Sequence, residues 1–145
     1  MAKKLGERAR ALFDQKTVVR SQKQQETFEA NVDAILQRLS EQILKSDLMA
    51  PGVLERAIMS AAAKGHCSLD FRFQHRQQVE RGLIGIIDRL KETFIKDKEG
   101  NRLYWLRQFC LSEGLTIDVD IHYVDAQDKF IRNDFIFFLD IVISW

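Results

Sequence analysis

Leu115-Thr-Ile-Asp-Val-Asp-Ile-His-Tyr123 and Asp134-Phe-Ile-Phe-Phe-Leu-Asp-Ile-Val-Ile-Ser-Trp145 hold the densest β-branched and aromatic content of this 145-residue chain. In the first stretch Leu115, Ile117, Val119, Ile121 and Tyr123 alternate with Thr116, Asp118, Asp120 and His122. That period of two marks a strand with one buried and one wet face. The second stretch is apolar on both faces. Phe135, Phe137, Leu139, Ile141, Ile143 and Trp145 share one side, and Ile136, Phe138 and Val142 share the other. Between them Asp125 to Asn133 reads as a polar loop carrying Phe130 and Ile131, so the two strands should form an antiparallel hairpin.

Working back from this hairpin, Cys67-Ser-Leu-Asp-Phe-Arg-Phe73 alternates in the same way and is expected as the first strand. The segments between are helical in period. Phe28, Val32, Ile35, Leu36, Leu39, Ile43 and Leu44 step by threes and fours within Ser21 to Lys45. Pro51 suits the first turn of a following helix, and Gly65 a left-handed stop. Gln74 to Lys96 carries the stripe Val79, Leu83, Ile86, Ile87, Leu90 and Phe94, with Gly82 and Gly85 expected to let this helix lie close on the sheet. Asp97 to Asn101 reads as a turn and Asn101 as the cap of a last helix, Arg102 to Ser112, that is apolar nearly all round. Gly114 ends it. The expected fold class is α+β: a mixed three-stranded sheet, with strands near 67–73, 115–124 and 134–145, packed against four to five helices. A parallel crossover between the first two strands is one solution.

Length predicts one globular domain over 26–145, preceded by a basic arm or short helix over 1–25. Thr17-Val18-Val19 is expected to interrupt helix there. Residues 1–25 hold Lys3, Lys4, Arg8, Arg10, Lys16, Arg20 and Lys23 against Glu7 and Asp14, a net of +5, whereas residues 112–145 have a net of −5. Such an end-to-end asymmetry is a partner signal. The arm could neutralise phosphates of a nucleic acid, although only Phe13 is interleaved with its bases and no recognition motif accompanies it. Cys67 and Cys110 read as buried, reduced thiols. No apolar run approaches a membrane span, and the opening Met-Ala-Lys-Lys-Leu-Gly-Glu-Arg lacks a signal-peptide core. A cytoplasmic rather than secreted protein is expected.

Two junctions carry a resemblance. One is the helix ending in Ala61-Ala-Ala-Lys-Gly65 and leading to a strand with Phe71-Arg72-Phe73. The other is the helix ending in Ser112-Glu113-Gly114, followed by a strand and a closing strand that finishes Ile-Val-Ile-Ser-Trp145. Together they resemble a small α/β module that recurs in poorly characterised proteins of tailed phages and large DNA viruses, over about residues 53–145. The resemblance implies a viral, structural or host-interacting protein, located in the cytoplasm or the virion. It supplies no catalytic residue.

The one constellation suited to catalysis is Asp118, Asp120 and His122, on one strand face with successive side chains ~6.5–7 Å apart. Asp70 would join if the first two strands paired. Carboxylates with imidazole can hold a divalent metal, but the same residues equally make the solvated face of an amphipathic strand. No nucleophile motif appears, and His66, His75 and His122 show no ligand spacing. The sequence therefore points to a non-enzymatic structural or protein-interaction protein with no catalytic, cofactor or metal site. The alternative is a nucleic-acid-associated protein using the arm. Ile136, Phe138, Val142 and Trp145 are the candidate interface, toward a protein partner or a second copy. A third layer of helix over Ile136, Phe138 and Val142 is the competing arrangement. If the last strand lies at a sheet edge, its free backbone groups invite another strand.

Overall fold

A computed structural model describes residues 4–96 and 103–145. Lys3 of the arm, the expected turn at Asp97 to Asn101, the Asn101 cap and the Arg102 helix start lie outside the described residues. The order of elements is α1 (Leu5–Leu44), a 3-10 turn (Asp47–Met49), α2 (Pro51–Ala63), β1 (Ser68–Gln78), α3 (Leu83–Phe94), α4 (Tyr104–Ser112), β2 (Thr116–Asp125) and β3 (Asp134–Ser144).

The α+β class stands, with one three-stranded sheet in the order β1-β3-β2. Both neighbouring pairs are antiparallel, so the sheet is not mixed and β1 does not touch β2. β3 is central rather than an edge strand. β3 is hydrogen-bonded along both edges, and β1 and β2, each with one wet side, take the edges of the sheet. Register pairs Phe73 and Ile121 with Leu139, and Arg72 and Asp120 with Asp140.

On the inner face Phe137, Leu139, Ile141 and Ile143 are fully buried. They form one core with Val32, Ile35, Leu39 and Ile43 of α1, Leu54 and Ile58 of α2, Ile86, Leu90 and Phe94 of α3, and Leu106 and Cys110 of α4. Each such side chain contributes ~1.5–3 kcal/mol relative to exposure. Ile136, Phe138 and Val142 take no part in this core, so among the described residues no helix forms a third layer over them.

Further sequence expectations change. β1 runs to Gln78, five residues beyond Phe73, because β3 offers an eleven-residue partner and α1 satisfies the added polar positions. The Gln42 side-chain amide donates to the Gln74 carbonyl (2.6 Å) and accepts from the Gln74 N–H (3.1 Å). That single amide closes the free edge of β1 at this point. Gln77 in turn donates to Asn31 of α1 (3.2 Å). Second, Gly82 is the N-cap of α3, at φ 78°, not a residue inside it. A Cβ there would lie 3.1 Å from the Phe28 ring, and one on Gly85 3.2 Å from it, so these glycines admit α1 rather than the sheet. Third, α1 is one unbroken 40-residue helix through Thr17-Val18-Val19. β-branched residues cost only tenths of a kcal/mol each, and the Thr17 hydroxyl donates to the Phe13 carbonyl within the helix. Fourth, Cys67 is exposed while Cys110 is buried, and Leu111 of α4 is exposed, so that helix is not covered all round.

Gly65 and Gly114 have positive φ, as stops after α2 and α4 require, and Pro51 opens α2. Among the described residues no helix is long and apolar enough to cross a membrane.

Candidate interaction surface

Strand alternation and register place a defined set of side chains on the outer face of the sheet. Down its centre run Asp134, Ile136, Phe138, Asp140, Val142 and Ser144 of β3. On the β1 side Asp70 flanks Val142, Arg72 flanks Asp140, Gln74 flanks Phe138 and Arg76 flanks Ile136. On the β2 side Asp118, Asp120, His122 and Val124 flank the same four residues in the same order. Ile136, Phe138 and Val142 are half-buried, shielded by these neighbours rather than by helix. The Arg72 guanidinium sits 4.7 Å from the centre of the Phe138 ring, and His122 stacks on that ring at 5.0 Å. Trp145 falls on the opposite side by alternation, at the end of β3 and 39% exposed, so it does not extend this row.

Two arginines stitch the face. Arg72 donates to both oxygens of Asp140 (2.7 and 3.1 Å). These bonds, and then the charge of Asp140, push the Arg72 pKa further up. Arg76 pairs with the buried Asp134 and with Asp128 (3.0 Å). Its pKa is also raised, first by the bond to Asp134. Asp128 accepts the Phe130 N–H (2.8 Å), and that bond chiefly holds its carboxyl below the ordinary range. Arg76 therefore ties the β2–β3 loop to the face. The sequence reading missed both arginines. The alternation of Cys67 to Phe73 puts Arg72 on the wet side, but Arg76 joins it only once β1 extends to Gln78, and the partners of both depend on β1 pairing with β3.

The expected Asp118/Asp120/His122 set is rearranged by the same pairing. Asp70 and Asp118 lie on either side of Val142, about 9.5 Å apart across two strand spacings, so Asp70 does not join. Asp140 comes beside Asp120 instead, and Asp120, His122 and Asp140 bring one ligand atom each within 4.8 Å of one another. His122 Nδ1 is 3.3 Å from Asp120 and 3.6 Å from Asp140, close enough for ion pairing but not aligned for a hydrogen bond. Like charges opposite each other are unfavourable, and Arg72 on Asp140 offsets that. The cluster is a charge network with its central carboxylate already engaged on both oxygens. It offers a metal no free Asp140 without breaking the Arg72 pair.

The basic arm is the second surface. Lys4 at the N-cap and Arg8, Arg10, Lys16, Arg20 and Lys23 on the first half of α1 are all exposed. Leu5, Leu12, Phe13, Val18 and Val19 are exposed with them, and Phe28 is the first residue to pack against the core. Among the described residues, surface grooves line parts of α1, including one by Lys23, Phe28, Glu80 and Arg81. None gathers a converging set of catalytic groups. Comparison with protein-family models, curated proteins and solved structures found no match to this chain.

Proposed function

We propose that this chain is a non-enzymatic structural or protein-interaction protein whose docking surface is the outer face of the sheet. The observation that carries the reading is the apolar row Ile136, Phe138 and Val142, half-buried by neighbouring strand side chains but by no described helix, whereas the core residues of α1, α2, α3 and α4 pack on the other side. An apolar patch rimmed by polar residues is the usual signature of an interaction site. The junctions at Gly65 and Gly114, with their phage and large-virus resemblance, favour a virion-associated or host-interacting component within this class.

Phe138→Lys tests the reading. For a docking residue the variant loses assembly, while its melting temperature stays near that of the parent, because no helix sits over the ring. For a core residue it would cost several kcal/mol through an unpaired buried charge, and that outcome would sink the proposal. A second reading, nucleic-acid association, is favoured by one observation: the arm presents its cations on a fully exposed helix.

A further inference from the structure

We infer that the occupant of the open sheet face is the α1 arm of a second copy of this chain, an inference that rests on the interaction reading above.

The arm cannot serve its own sheet. It is part of one unbroken helix whose later turns, with Val32, Ile35 and Leu39, are buried against the inner side of the fold. Leu12 and Leu39 are 27 positions apart, about 7.5 helical turns, and so project from opposite sides of α1. The stripe Leu5, Leu12 and Val19 thus faces away from the core of its own molecule. It remains exposed, with Leu5 at 77%, Leu12 at 58% and the adjacent Phe13 at 70%.

Charge decides what this stripe fits. Lys16 and Lys23 follow Leu12 and Val19 by four residues, about 40° round the helix, and so share the apolar side. Glu7 and Asp14 follow Leu5 and Leu12 by two, about 200° round, and so face away. Two arms laid together would set lysine against lysine, which disfavours a coiled coil of arms. The open face offers the complement. Arg72 and Arg76 are occupied by Asp140 and Asp134, leaving Asp70 and Asp118 beside Val142 and Asp120, next to His122 but 72% exposed, as the carboxylates of this face. An apolar stripe with lysines meets an apolar row with aspartates. Lengths agree too: residues 5–27 of the arm span about 34 Å as helix, and the eleven residues of β3 span about 37 Å as strand. Docking would complete a helix–sheet–helix sandwich.

Sedimentation of the full chain over a range of concentrations, at low and high salt, tests this. The expected result is self-association that weakens as salt rises. Lys16→Glu and Asp120→Lys should each weaken it about tenfold with melting temperatures unchanged. An equimolar mixture of the two variants should regain affinity, because the reversed arm then meets the reversed face. A mixture no tighter than either variant alone overturns the inference, since arm–arm contact gains nothing from Asp120→Lys. A chain that stays monomeric at every concentration overturns it as well, and so does an arm that binds nucleic acid without self-association. In each of those cases, loss of a different partner on Phe138→Thr, with an unchanged melting temperature, would leave the interaction reading standing. A Phe138→Thr variant that melts far below the parent would remove both.

Discussion

Arg72 shows how much a single side chain can settle on this surface. Its guanidinium holds both oxygens of Asp140 and covers Phe138. In doing so it takes one ligand out of the Asp120, His122 and Asp140 cluster. Three donors with one already engaged make a poor cation site in competition with water. Calorimetric titration with Mg2+, Mn2+ and Zn2+ is therefore expected to show no binding tighter than millimolar. A micromolar site abolished by Asp120→Ala would contradict this. The reverse effect belongs to the same residue: with Arg72→Ala the two carboxylates face each other without their cation, and any metal affinity should rise.

At the scale of elements, the contact between α1 and α3 is the most tightly specified. Gly82 adopts a left-handed conformation at the N-cap of α3, and the Phe28 ring lies where its Cβ would go. Arg89 of α3 also reaches Glu29 of α1 with two bonds (3.1 and 3.2 Å), an exposed pair worth little by itself. Gly82→Ala is expected to destabilise the fold by more than about 1 kcal/mol, from the strained φ and the displaced ring together. A chemical denaturation midpoint equal to the parent's would show that the loop relaxes freely. The sequence pattern placed this glycine inside a helix because Val79 continues the apolar stripe. Val79 is indeed buried, but in the connection, where its N–H donates to the Asn133 carbonyl (2.8 Å).

At the scale of the whole molecule, α1 divides by burial while remaining one helix. Its described residues before Phe28 contribute no core surface. Removing residues 1–25 is accordingly expected to leave the melting temperature nearly unchanged. The same truncation should abolish any nucleic-acid affinity, which in the intact chain should fall by orders of magnitude between ~50 and ~200 mM salt. Affinity that survives the truncation would place the binding elsewhere. A large drop in melting temperature would mean that the arm packs onto a folded domain in solution, its own or that of a second copy.

Much of this architecture follows from local pattern. The alternation of Thr116 to Tyr123, the helical stepping of Phe28 to Ile43, and the stops at Gly65 and Gly114 are properties of residues a few positions apart. They fix the elements and the α+β class without reference to the rest of the chain. Which strand is central, how far β1 extends, and which charges meet are not local. They depend on the pairing of β1 with β3, from Ser68 with Ser144 to Gln78 with Asp134, residues far apart in sequence, and a period of two is the same for an edge strand and a central one. Gln74 to Gln78 becomes strand only because β3 and Gln42 satisfy its backbone. Arg72, Asp140 and Asp120 become neighbours only through that sheet order. The uncovered state of Ile136, Phe138 and Val142 is likewise a tertiary outcome. The sequence marks them as apolar, but only the packing of the described helices on the opposite face leaves them without a helix over them.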